Sequence, residues 1–293
     1  MAAGMDLTDL HCHSTASDGT SRPVEVVRIA KGIGLRAIAL TDHDTLAGIE
    51  EAAAEARALD IEFIPGCEIS LDGVPGTFHM VGLGVDPANA HLRERLDFVR
   101  QGREGRNAEI CEKLNRLGHR VTMEEVAAEA GGDVIGRPHF ARVLVKRGVV
   151  REMKEAFDRF LGKGKAAYAD RERLPLPEAL AAINGAGGAA VLAHPYTVGF
   201  PDDAAWEKWL REMAAAGLDG IETVYTEHSA ADEARFRGLA KRCGLLESGG
   251  SDYHGENKKN TAVGTGKGGL RVPYALWEAL RHRARSRKRG PRP

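Results

Sequence analysis

A chain of 293 residues with 43% hydrophobic content can bury one large core or two modest ones. Its 41 basic and 42 acidic residues leave a net charge of −1, which excludes a global pull toward nucleic acid or membrane and makes any anion binding local. Four cysteines without C-x-x-C spacing exclude a disulfide scaffold, no stretch approaches the roughly 20 apolar residues of a membrane helix, and MAAGMDLTDLHC has no apolar leader run, so a cytoplasmic protein is expected.

In chain order, short apolar or alternating segments followed by helical patterns set up a βα rhythm. Strands are expected at 5–11, 37–40, 62–68 and 78–84, with Pro23 and Thr45 opening intervening helices through N1 and N-cap chemistry. The rhythm stops over 89–168, where consecutive helical patterns, one opened by a Thr122 and Glu125 capping box, predict an inserted helical domain that caps the substrate. It resumes over 169–280, with a helix opened by Pro177 and strands at 189–193, 220–224 and 244–249. The closing RHRARSRKRGPRP, 281–293, combines like charges with Pro and Gly and predicts a basic disordered tail. Seven strands and their helices predict an α/β barrel whose first part is 1–88, interrupted by the insertion.

The candidate chemistry sits where these strands end. His11 and His13 in DLHCHS share one face of the first strand, and two imidazoles there can share a metal; alone, the pair is a weak signal and reads more readily as a strand-end pair exposed to water. Asp18 follows in SDG, and Asp42, His43 and Asp44 fill TDHD after the second strand. Glu68 ends the third, His79 lies in the fourth, His194 stands in LAHP, and Asp252 and His254 follow the last strand in GGSDYH. Taken singly, Glu68 reads as a helix cap, Asp252 as an Asx-turn and His194 as a satisfied core histidine. Jointly they read as a metal site, because a parallel barrel gathers its strand ends at one face, and so many desolvated groups without a cation would cost several kcal/mol. A mixed imidazole and carboxylate shell suits divalent manganese foremost, with iron or zinc as alternatives.

With H-x-H, D-G, T-D-H-D, G-x-E-x-S, A-H-P and S-D-x-H in order, the sequence resembles the polymerase and histidinol phosphatase (PHP) family over nearly its whole length. The resemblance implies a distorted seven-stranded barrel, (β/α)7, holding three metals. His11, His13, Glu68 and Asp252 would bind the first, Asp18, His43 and His254 the second, and His79 with His194 the third, Glu68 bridging back. It also implies in-line attack on phosphorus by a metal-bound hydroxide, with no side-chain base required. His228 in TEHS reads either as a proton donor to the leaving oxygen or as a surface histidine.

Substrate anchors are expected in the insertion. GRPHF puts Arg137 and His139 where Pro138 starts a helix, a favourable place for phosphate. Arg100, Arg103 and Arg106 recur every three residues as a basic ridge facing either the cleft or solvent, and Lys163 and Lys165 in GKGK carry a weaker signal. GTGKGG is not a P-loop, since Thr261 replaces its first glycine and Gly268 its Ser or Thr. The expected substrate is a small phosphate ester, AMP-like or a 3′,5′-nucleoside bisphosphate, with short RNA ends as an extension. The rival readings are a histidinol-phosphate or cyclic-phosphate hydrolase and a catalytically silent metal-stabilised module; no membrane or obligate protein partner is expected.

Overall fold

The apolar runs of the first half pair side by side because each is followed by a helix that carries the chain back over the sheet. The computed structural model describes residues 6–288 except 75, 131 and 133. Strands β1 (Leu7–Asp9), β2 (Ala37–Leu40), β3 (Glu62–Asp72) and β4 (His79–Leu83) alternate with helices α1 (Pro23–Gly32) and α2 (Ile49–Leu59). Pro23 opens α1 as expected. Thr45 does not open α2: its hydroxyl accepts the Ala47 N–H in a local turn, and the helix starts four residues later, at Ile49.

The insertion comprises α3 (Ala90–Arg116), α4 (Met123–Glu129), α5 (Arg137–Lys146) and α6 (Met153–Ala156), the last running into a π-helical turn at Phe157–Leu161. Thr122 and Glu125 form the expected capping box. The first half of α3 buries Leu92, Leu96 and Val99 in the core shared with the sheet, whereas Ile110 and Leu114 enter a separate core with Phe140, Leu144 and Leu161. This helix is therefore a strut between the two, and the arginines midway along it stand at the junction.

The second half supplies β5 (Leu174–Pro175), α7 (Leu176–Gly185), β6 (Ala189–Leu192), α8 (Asp203–Ala216), β7 (Gly220–Tyr225), α9 (Ala230–Cys243), β8 (Leu246–Gly250), β9 (Val272–Pro273) and α10 (Tyr274–Lys288). All seven expected strands form, and the two-residue strands β5 and β9 join them. The order β8-β7-β6-β4-β3-β2-β1-β9 is nearly closed into a barrel, because the Leu10 N–H reaches the Gly249 carbonyl at 3.2 Å and the Asp252 N–H the His11 carbonyl at 2.8 Å. Gly250 permits that closure: a Cβ there would lie 2.3 Å from the His11 Cβ. β4 runs antiparallel to both β3 and β6, so its N-terminal end, with His79, meets the C-terminal ends of the parallel strands.

The tail expected at 281–293 is helical as far as Lys288, and only 289–293 lie outside the described residues. Trp277, Leu280 and Ala284 continue one buried stripe against the barrel interior, with Leu10, Ala37 and Val191, while Arg281, Arg283 and Arg285 stay at least partly exposed. Trp277 contacts the position of Gly84, past the end of β4 remote from His79, so α10 covers the end of the barrel opposite the histidines.

Candidate metal centre

Just beyond the end of β1 the two imidazoles face the same way, and His11 Nε2 and His13 Nε2 lie 3.1 Å apart. Glu68 Oε2 stands 3.2 and 3.1 Å from them, and Asp252 Oδ1 3.5 and 3.3 Å. Donors bound at about 2.0–2.2 Å to one cation in a tetrahedral or octahedral shell would show spacings of this size. A second group joins Asp18, His43, His254 and the other side of His13, with Asp18 Oδ1 3.2 Å from His254 Nε2. On the opposite edge of Glu68, Oε1 is 2.8 Å from His79 Nδ1 and 2.9 Å from His194 Nε2, which lie 3.2 Å from each other. All nine expected ligand residues converge, and Glu68 is the hub.

The protonation pattern is that of a cluster short of positive charge. Burial alone would lower the His13 pKa, but Asp252 and Glu68 override it and raise it to about 10; His11 is also raised well above its ordinary value against burial, by Glu222, Glu68 and Asp252. Burial dominates at His43 and depresses it to about 3. Among the described residues, His13 Nδ1 and His43 Nδ1 are buried without a hydrogen-bond partner, although His43 Nδ1 is only 3.2 Å from Glu68 Oε2. Unpartnered lone pairs beside three carboxylates are the donors a divalent cation takes, so the residues fit the metals that the motifs imply.

A surrounding layer of partners orients these groups, and most of it was not foreseen from sequence. Glu222, buried in β7, accepts from His11 Nδ1 at 2.9 Å and from the His194 N–H at 2.6 Å, fixing which His11 nitrogen faces the cluster. Tyr225 Oη donates to Asp252 Oδ2 at 2.6 Å, and Lys258 Nζ reaches the same oxygen at 2.8 Å. Asp42, between Thr41 and His43, ties down the 14–18 loop by accepting from the Ser14 N–H and the Ser17 hydroxyl. Glu222→Gln should keep the shape but weaken the polarisation of His11, lowering metal affinity roughly tenfold in a chelator titration with little change in fold.

Beside the cluster opens a cavity of about 370 Å³, with Asp18, His43 and His79 on one wall and Arg103, Arg106, Arg137, Arg171, Arg173 and Lys163 around it. Arg103 and Arg171 share the buried Asp44 carboxylate, Arg103 Nε at 2.8 Å and both Arg171 terminal nitrogens at 3.4 Å. Burial and the neighbouring Arg103 lower the Arg171 pKa to about 9, and Arg106 is depressed well below its usual range by burial and by Arg103, Arg171 and Arg137. Such crowding of guanidinium groups favours an anion in the space between them. Arg137 has one acceptor among the described residues, the Leu161 carbonyl at 3.2 Å, and stacks near Tyr168 at 5.6 Å, which leaves most of its N–H fork unpaired.

Two expected anchors, Arg100 and His139, stand elsewhere, and so does His228, whose role the sequence left open. Arg100 pairs with Asp97 at 2.9 Å and lines a different surface hollow, because the helical turn directs it away from Arg103. His139 is fully buried in the first turn of α5 and accepts the Gly136 N–H at 3.0 Å, so it caps the helix rather than lining the cavity. His228 Nδ1 donates to the Thr223 carbonyl at 3.0 Å and its ring packs against Phe236, a structural placement rather than that of a proton donor. Arg171 and Arg173 line the cavity as well, although no motif singles them out in the sequence.

Comparison with known proteins agrees with this arrangement. The PHP domain family matches residues 9–161. A 5′-3′ exoribonuclease of Haemophilus influenzae is 38% identical over 250 residues, 84% of this chain and 89% of that protein. A 3′,5′-nucleoside bisphosphate phosphatase of Chromobacterium violaceum is 36% identical over 278 residues, 94% of this chain and 96% of that protein. The solved structure of a metal-dependent phosphoesterase from Bifidobacterium adolescentis superposes with a TM-score of 0.84 at 31% identity, covering 94% of this chain and 96% of that one. With its barrel, its histidine and carboxylate cluster and these likenesses, the chain belongs to the PHP domain family and is a phosphoric ester hydrolase of the metal-dependent kind.

Proposed function

We propose that the chain hydrolyses a phosphate ester of a nucleotide, with a 3′,5′-nucleoside bisphosphate or an AMP-like compound as substrate and short RNA ends as an extension. The arginine-lined cavity opening directly onto the cluster carries this reading, because a site that takes one phosphoryl group at the metals and has a second cationic recess beside it suits a substrate with two anionic groups. The names of the Chromobacterium and Haemophilus relatives support the same class.

In this reading His11, His13, Glu68 and Asp252 hold one metal, Asp18, His43 and His254 a second, and His79 and His194 a third with Glu68 between; manganese suits the donors best, with iron or zinc as alternatives. When bound, the metals supply Lewis-acid activation of water and of the phosphoryl oxygens. Glu222 holds His11 in one tautomer, and Tyr225 with Lys258 fixes the outer oxygen of Asp252. Arg137, at the first turn of α5, offers its unpaired fork to a phosphate, with the helix N-terminus adding partial positive charge. Arg103 and Arg171, locked by Asp44, keep the recess cationic without needing to move.

Phosphate release in the presence of manganese, across nucleoside bisphosphates, mononucleotides, histidinol phosphate, cyclic phosphates and 5′-phosphorylated RNA, tests the reading. The nucleoside bisphosphates or RNA ends should give the highest kcat/KM. A preference for histidinol phosphate contradicts it, and metal-loaded protein inert on the whole panel argues for a silent module.

A further inference from the structure

Five large apolar or aromatic side chains among the described residues are exposed, and four of them, Ile29, Ile33, Phe98 and Leu117, lie on or at the end of the outer helices α1 and α3. Isolated exposures of that kind need no explanation. The fifth, Tyr196, is different: it stands two residues after His194, at the rim of the cluster, and is 46% exposed. It does not line the arginine cavity but flanks the cluster on the side of Tyr225 and Asp252.

Its ring is held in place from behind. Tyr225 packs against it at 5.6 Å between centroids, tilted by 33°, and His228 meets it edge-on at 5.7 Å. Tyr225 is itself pinned, through its hydroxyl bond to Asp252 and by Lys258 Nζ at 3.0 Å from that hydroxyl. The backbone is equally constrained. His194 sits at φ 28°, which turns the chain outward into a 3-10 turn at Pro195–Thr197, and Thr197 Oγ1 anchors that turn to the Thr77 carbonyl at 2.8 Å. An aromatic face that is rigid before binding loses little entropy when a planar group stacks on it.

We infer that Tyr196 is a stacking platform for the planar base of the substrate, outside the arginine cavity and against the His194, Tyr225 and Asp252 flank of the cluster. This rests on the proposed nucleotide reading and adds to it where the base lies. The substrate then spans the cluster, with its phosphates toward the metals and the arginines and its base on the opposite flank. The platform accepts any base, because stacking uses the π-face and not a hydrogen-bonding edge.

The test compares an adenosine 3′,5′-bisphosphate with the abasic ribose bisphosphate on the full-length, manganese-loaded protein. Wild type should favour the nucleoside by about tenfold in KM, Tyr196→Ala should bring the two compounds to the same KM, and Tyr196→Phe should restore the preference by restoring the ring. A preference that survives Tyr196→Ala, or that is lost on Tyr168→Ala instead, places the base inside the cavity and overturns the inference; so does an equal loss on both compounds. If wild type turns over neither compound, the proposed reaction fails, and calorimetric binding of the two decides the platform separately: equal Kd values overturn it, and a Tyr196-dependent difference supports it.

Discussion

Glu68→Gln should reduce turnover by at least about 10³-fold and strip most of the metal from the purified protein. The reason is geometric. Glu68 places its two oxygens 2.8–3.2 Å from ring nitrogens of His11, His13, His43, His79 and His194, so a single carboxylate is shared by two of the three proposed metal positions and touches His43, a ligand of the remaining one. Burial would raise its pKa, but His43, His11 and His79 hold it well below the ordinary carboxylate range, so it is an anion at any working pH. Glutamine preserves volume and removes that charge, leaving an amide whose NH₂ cannot ligate. A readout independent of activity accompanies the rate. Manganese should raise the wild-type Tm by preferential binding to the folded state, and should leave the variant's Tm nearly unchanged. Retained metal with lost activity would instead make Glu68 a catalytic group that is not a ligand.

Arg137→Ala should raise KM for phosphate esters roughly 10- to 100-fold while metal content stays at the wild-type level, the range expected for losing charge-assisted hydrogen bonds to an anion. Burial holds the Arg137 pKa below its usual value, and its fork has a single carbonyl partner among the described residues, so the side chain is desolvated ahead of any ligand. Arg103 and Arg171 differ in that Asp44 already neutralises part of their charge. Because Arg137 also packs near Phe157 and Tyr168, Arg137→Met serves as the packing control and should show the same KM increase. An unaltered KM in both variants would remove Arg137 from the substrate site.

The sequence carried most of the cluster because each donor lies in a short motif beside a strand end, and strand ends are where an α/β barrel gathers distant residues. His79 belongs to the same mouth for a reason the pattern does not encode: β4 is reversed, and a five-residue apolar strand reads alike in both directions. Glu222 was hidden within GIETVY, a fully buried run in which a carboxylate can be satisfied only by partners from other strands, here His11 and His194. Arg171 and Arg173 lie in no recognisable motif, and only the fold reveals that Asp44 and Asp72 are their partners. At the C-terminus, charge density outweighed the Trp277, Leu280 and Ala284 stripe, which anchors about two turns of helix on the barrel. Arg100 failed because a three-residue spacing turns a helix through only about 300°, so successive arginines drift off one face.

The claim underlying all of this is that Glu68 and the eight side chains around it bind divalent metal together. Anomalous diffraction from manganese-soaked crystals, recorded with elemental analysis of the same preparation, tests it most directly. The account predicts anomalous peaks between His11, His13, Glu68 and Asp252 and beside Asp18, His43 and His254, with a further one at His79 and His194. Manganese absent from all three places under saturating soak, with the imidazoles still bonded to Glu68 as they are here, would contradict it.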